Sequence, residues 1–223
     1  MGLMTGYLHS GSREVQEVSG RYAGAIATRA ALAAITPLNR VDGMLAMVQT
    51  DGSLWRYVSG SVLTSDESLE LAIEPTDGAG CWFRADKSFV MKLPISFATA
   101  DAAALCTIPE GFVVRLTANP YWENLVAWTG GASSAIGISS NKASYNTKGD
   151  FLGGASGDVL AGLTAGIKAG TIGVKLDTLA EFAALLLVEG DAIRFDRITS
   201  AFTAGSGYVC IPVAVNSSGP ATP

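Results

Sequence analysis

The sequence predicts a mainly β protein: a C-terminal antiparallel β-sandwich of jelly-roll-like type, preceded by a small helix-plus-β-meander module and an extended N-terminal arm. Three observations carry that prediction. Glycine is abundant, 26 residues against 15 lysines and arginines together, which suits many tight turns between short strands. Short runs that alternate apolar and polar residues recur along the chain, each bounded by Gly, Pro, Asn or Asp. The 48% apolar content of 223 residues is enough to bury a substantial core in one large or two small domains, which excludes a disordered chain.

Taken in order, residues 1–27 are rich in Gly and Ser and poor in large apolar side chains, so they read as an arm that orders only against a partner. A module follows over 28–87. "TRAALAAI" is a short helix with Thr28 as N-cap, stopped by Pro37. "DGMLAMVQTDGSLWRYVSG" places the alternating Leu45, Met47 and Leu54 around Asp51-Gly52, a hairpin signal because glycine supplies positive φ. "LELAIEPTDGAGCWFRA" adds a strand pair with a turn near Asp77–Gly80. Trp55 and Trp82 are the expected core anchors, with an exposed sugar-binding Trp pair as the functional alternative.

The sandwich is expected over 88–215, with a tail at 216–223. "SFVMKLPISF" puts Phe89, Met91, Leu93, Ile95 and Phe97 on one face, and Pro94 pushes the strand toward an edge or a bend. "IPEGFVVRLTA" gives a turn and a strand from Phe112, and "LVAWTGG" and "SAIGISS" give two more. "LDTLAEFAALLLV" fits a helical face through Leu176, Leu179, Phe182 and Leu186, so a short helix or loop is expected at 177–183 before a strand. "ALLLVEGDAIRFDRI" reads as a hairpin about Glu189-Gly190-Asp191. "GYVCIPVAV" is the closing strand, with Val209, Ile211, Val213 and Val215 facing the core. Between these lies "TGGASSAIGISSNKASYNTKGDFLGGASGDVL" (129–160), read as strands joined by long Gly/Ser/Asn loops suited to broad polar contact with another protein.

Residues suited to chemistry are few. The single histidine, His9, lies in the arm, which argues against a structured His catalyst. "GGASGD" (153–158) misses the GxSxG nucleophile elbow, since Asp158 stands at its last glycine. The same stretch approximates a calcium repeat at Gly153, Gly154, Asp158 and Leu160, but Ser156 replaces a required glycine. Asp150 and Asp158 with backbone carbonyls are left as the one candidate cation site. Cys81, Cys106 and Cys210 have no metal or disulfide spacing, and Cys81 and Cys210 sit in apolar runs as small hydrophobes. Glu110, Glu189 and Asp191 belong to turns, and Asp196 between Arg194 and Arg197 suggests surface pairing rather than half of a glycosidase carboxylate pair. Asn216-Ser-Ser is a sequon only in form. No catalytic residue, cofactor or metal is therefore expected.

A net charge of −5 without long charge runs argues against nucleic acid or an anionic membrane as partner. Neither a signal peptide nor a run of eighteen apolar residues can be read, so no membrane association is expected. "DGSLWRYVSGS" followed by "GAGCWFRA" resembles a small DGxxW…GxxW module of tailed-phage virion proteins. "SSAIGISS", "YNTKGDFLGGASGDV", "LTAGIKAGTIG" and "EGDAIRFDRITSAFTAGSGYVCIPV" resemble a β-sandwich domain of phage structural proteins. Together they span about residues 40–215. The resemblance implies a non-enzymatic virion protein made in the bacterial cytoplasm. Its favoured place is the capsid exterior, as a trimeric decoration or cement protein on the major capsid protein. A collar, fibre or glycan-binding receptor component is the alternative, and a polysaccharide depolymerase the third reading.

Overall fold

The computed structural model describes residues 22–217 apart from 67, 69, 132, 155, 160–163 and 200. The arm up to Arg21, Leu160 of the calcium-like stretch and the tail from 218 onward lie outside the described residues. The fold is mainly β. The chain falls into two compact units: 22–65 with 71–86, and 66–70 with the described residues from 87 onward. Among the described residues no helix is long and apolar enough to cross a membrane.

The first unit holds β1 (Tyr22–Ile26), helix α1 (Arg29–Ala33), β2 (Leu45–Val48), β3 (Ser53–Val58), β4 (Ala72–Ile73) and β5 (Cys81–Arg84), in one sheet ordered β1-β2-β3-β5-β4. The Thr28 hydroxyl accepts from Ala31 N at 3.1 Å, which makes it the N-cap the sequence announces. β1 occupies residues assigned to the arm and pairs parallel with β2. Asp51 and Gly52 form the β2–β3 turn, with Gly52 at φ +68°, a conformation cheap only for glycine. The Asp51 carboxylate accepts from Ser53 N at 2.9 Å and pairs with Arg29 at 2.7 Å.

The face of β2 that points into the core is the opposite of the one its large residues mark. Ala46 and Val48 are buried, whereas Leu45 and Met47 are exposed. The reason is the partner strand: Trp55 is fully buried and stands directly across from Ala46. A ring of that size leaves room only for a small cross-strand neighbour. Trp55 and Trp82 are the core anchors expected, packed with Leu32, Met44, Tyr57 and Ile73. Their full burial removes the exposed sugar-binding pair.

The second unit holds two antiparallel sheets in a sandwich-like arrangement. β10 (Ala135–Ser140), β11 (Asp158–Val159), β13 (Ala192–Arg197) and β7 (Ala103–Thr107) form a four-stranded sheet ordered β11-β10-β13-β7. β6 (Ser88–Ser96), β8 (Phe112–Leu116), β9 (Tyr121–Gly130), β12 (Gly166–Ala169) and β14 (Phe202–Ser217) form a five-stranded one. Its order is β12-β9-β14-β6, with β8 also on β14. The chain changes sheet at most connections, which is the jelly-roll-like feature.

Three details depart from the expectation. β14 lies in the middle of its sheet, pairing with β6, β8 and β9, rather than closing an edge. Its inward residues Val209, Ile211, Val213 and Val215 are buried as expected. The Glu189-Gly190-Asp191 turn exists, with Gly190 at φ +78°, but it joins no hairpin. Leu187 before it bridges β8 of one sheet, and β13 after it belongs to the other. The turn is thus a corner between sheets. Helix α2 (Leu179–Ala184) precedes it, closed by a capping box between Thr178 and Glu181, a local signal that outweighs the helix–strand ambiguity. Finally, Pro94 lies in β6 at the sheet edge as expected, while Phe97, expected on the inner face, is exposed.

Candidate functional site

Of the stretch 129–160, read from the sequence as strands joined by long loops suited to contact with another protein, 134–140 and 149–154 are buried, whereas 141–148 are exposed or half-buried. Residues 149–154 are buried, Phe151 and Leu152 completely. They run along β10, with Phe151 N donating to Ile138 O at 2.8 Å and Ile138 N to Leu152 O at 2.9 Å. They also cover the side of β10 and β13 that carries Gly137, Ser139 and Asp196. Glycine is needed here because backbone lies on backbone: a Cβ on Gly149 would sit 2.0 Å from Gly154 O, and one on Gly153 would sit 2.6 Å from Ile136 O. β10 is therefore buried at every residue.

Two carboxylates hold this covering segment. Asp196 is buried and accepts from Ser139 Oγ at 2.9 Å and from Gly149 N at 3.1 Å. It does not make the surface pairing with Arg194 and Arg197 that the sequence suggests, because it points to the covered side of the sheet. Burial pushes its carboxyl above the usual range, against the two hydrogen bonds that favour the charged form. Asp150 accepts from Thr147 N at 2.8 Å, and burial raises its carboxyl as well.

Asp158 accepts from the Trp122 indole at 2.6 Å and from Thr171 N at 2.9 Å. Both oxygens face N–H donors, so the candidate Asp150/Asp158 cation site does not assemble. Asp158 instead ties β11 to the segment after β12. Among the described residues no group of three or more His, Cys, Asp or Glu is placed to hold a metal.

The contrast with the five-stranded sheet defines the candidate site. Its inner face is closed by Met91, Leu93, Trp122, Val209 and Ile211. Register sets the other face. One row crosses it as Lys92, Cys210 and Tyr121, and the next as Pro94, Tyr208, Glu123 and Ile167. Ile167 is 71% exposed, Leu125 54% and Val126 52%, with Val90 exposed at the β6 edge.

At its centre Lys92 Nζ meets Glu123 Oε2 at 2.7 Å and stands 5.9 Å from the Tyr208 ring centre. The hydrogen bond between them raises the Lys92 ammonium and lowers the Glu123 carboxyl. Cys210 lies beneath, its thiol donating to Glu123 Oε2 at 3.6 Å. Burial, then the Glu123 charge, pushes that thiol up to about 11. It is therefore a protonated small hydrophobe and not a nucleophile. The face can bury apolar and aromatic surface around one internally neutralised ion pair, which suits protein contact.

Sequence reasoning located none of this face as a site. Its only sequence signal is the set of residues that alternate with the core positions of β6, β9 and β14. No protein-family model, curated protein or solved structure matches the chain.

Proposed function

We propose that the chain is a structural, non-enzymatic component of a tailed-phage virion: a decoration or cement protein that self-associates and binds the capsid exterior across junctions between major capsid proteins. The observation that supports this reading best is the set of exposed apolar residues Val90, Leu125, Val126 and Ile167 on the five-stranded sheet, on a β-body whose other sheet is packed against residues 149–154. A shell-stabilising protein acts by burying area against neighbours, and it needs a rigid frame and an uncovered apolar face rather than a cleft. The resemblance of the DGxxW…GxxW module and of the sandwich motifs to virion proteins points the same way. A glycan-binding fibre or collar protein loses its Trp basis, since Trp55, Trp82, Trp122 and Trp128 are all fully buried.

The test is stoichiometry. Quantitative mass spectrometry of purified particles of the phage that encodes the chain should find it in proportion to the major capsid protein, and added protein should bind capsids stripped of it. A few copies per particle would move it to the fibre or collar. Absence from particles would end the virion reading.

A further inference from the structure

We propose that residues 146–150 are a pH-sensitive strap across β10 and β13, held down while the Asp150 and Asp196 carboxyls carry protons and loosened when they ionise. The inference concerns the covered four-stranded sheet and stands apart from the virion reading.

Three observations carry it. The first is how the strap is fastened. Asp196 on β13 accepts from Gly149 N at 3.1 Å, and Asp150 accepts on Oδ2 from Thr147 N at 2.8 Å. Two backbone N–H groups of one short segment thus end on two carboxylates, each only 1% exposed.

The second is that these surroundings suit the neutral acid better than the anion. Asp150 Oδ1 is buried with no hydrogen-bond partner among the described residues, and a charged oxygen left unmatched in the interior is costly. Burial raises both carboxyls above the ordinary aspartate range. It does so against their hydrogen bonds and against three cations: Arg194 of β13 and Lys148 of the strap act on Asp196, and Lys175, beyond β12, acts on Asp150. The closed strap therefore binds these protons more tightly than an open one. Its hold is full below the ordinary aspartate range and is lost as pH rises through the closed-state values.

The third is that the strap is otherwise lightly held. Residues 146–148 are exposed, and the fully buried Phe151 and Leu152 lie beyond its end. Its remaining side-chain ties run from Arg194 Nη2 to Asn146 O at 3.3 Å, and from Lys148 Nζ to Asp101 Oδ2 at 2.6 Å and to Arg197 O. The Asp101 tie titrates in the opposite sense. Burial opposes its charge, but the hydrogen bonds from Lys148 and Arg197 N outweigh burial and hold that carboxyl below the ordinary range. Between pH 4 and pH 7 Asp101 stays charged, so the two buried carboxyls set the change.

The experiment is native-state hydrogen exchange of the full chain, followed by NMR and corrected for the intrinsic pH dependence of exchange. Protection at the Thr147 and Gly149 amides should fall as pH rises from 4 to 7. Low urea should leave it unchanged, the mark of a local opening, whereas the core amides of Ile211 and Val213 in β14 should respond to urea. Asp150→Asn combined with Asp196→Asn keeps an accepting oxygen at each site without the charge, and should abolish the pH dependence.

A second measurement does not depend on that variant folding. In wild type, the NMR titration of the Asp150 and Asp196 carboxyl carbons should follow the same curve as the loss of protection at Thr147 and Gly149. Protection independent of pH, a dependence that survives both substitutions, or carboxyls that titrate with no matching change at those amides would overturn the proposal. So would protection that falls on acidification instead, the outcome expected if the Lys148–Asp101 pair governs the strap.

Discussion

At the scale of single residues, two aspartates that look alike in sequence have different chemistry because of what faces them. Asp196 receives Gly149 N–H and the Ser139 hydroxyl, and a hydroxyl can turn to accept. Asparagine can therefore replace it, taking the Gly149 bond on its oxygen and donating to Ser139 from its amide. The folded carboxyl is raised, so the native state favours the protonated form. Its contribution to stability is full at pH values below the ordinary aspartate range and is lost as pH rises through the folded value. Asp196→Asn should thus melt at or above wild type at pH 7, with an advantage that shrinks on acidification toward pH 4. Melting curves for both proteins over that range check it, and a difference independent of pH would refute the account. Asp196→Ala, which leaves Gly149 N–H and Ser139 Oγ unmatched, should lose about 1–3 kcal/mol.

At the scale of elements, the ties between segments are made by a few polar groups rather than by regular pairing alone. Asp158 joins β11 to the chain beyond β12 by accepting from two N–H groups, the Trp122 indole and Thr171 N. Neither donor can turn into an acceptor. Asp158→Asn must point an amide N–H at one of them, so here the isosteric change should cost about 1–3 kcal/mol and hasten hydrogen exchange at Thr171. Comparison of the two aspartate-to-asparagine variants at pH 7 gives a sharp check: one harmless, one not. The packing of 149–154 on β10 follows a related logic. Gly137, Gly149 and Gly153 let two backbones approach where any side chain would collide, and the order of the segment comes from that contact.

At the scale of the whole molecule, the first unit has its own closed core of Leu32, Met44, Val48, Trp55, Tyr57 and Trp82, and the second has the inward residues of two sheets. Each core can therefore melt on its own. Calorimetry should resolve two transitions. Trp55→Ala, which empties a fully buried site, should cost about 3–5 kcal/mol and lower one transition while leaving the other in place. A single transition that moves as a whole would contradict the division into two independent cores.

The sequence by itself determined the β class, most strand positions, the Thr28 and Asp51-Gly52 signals, and the core role of Trp55 and Trp82, because these depend on period, turn chemistry and bulk read locally. It also held the inward set of β14 and the edge position of β6, through alternation and one proline. Tertiary structure decided the rest. Which face of β2 is buried depends on Trp55 standing across from Ala46, a pairing that local alternation does not contain. Whether a glycine-rich stretch faces solvent or lies on a sheet depends on a surface made jointly by β10 and by β13, whose Asp196 lies 47 positions beyond Gly149. For the same reason the candidate site was not legible: strand order and register bring Lys92, Tyr121, Glu123 and Tyr208 into one patch.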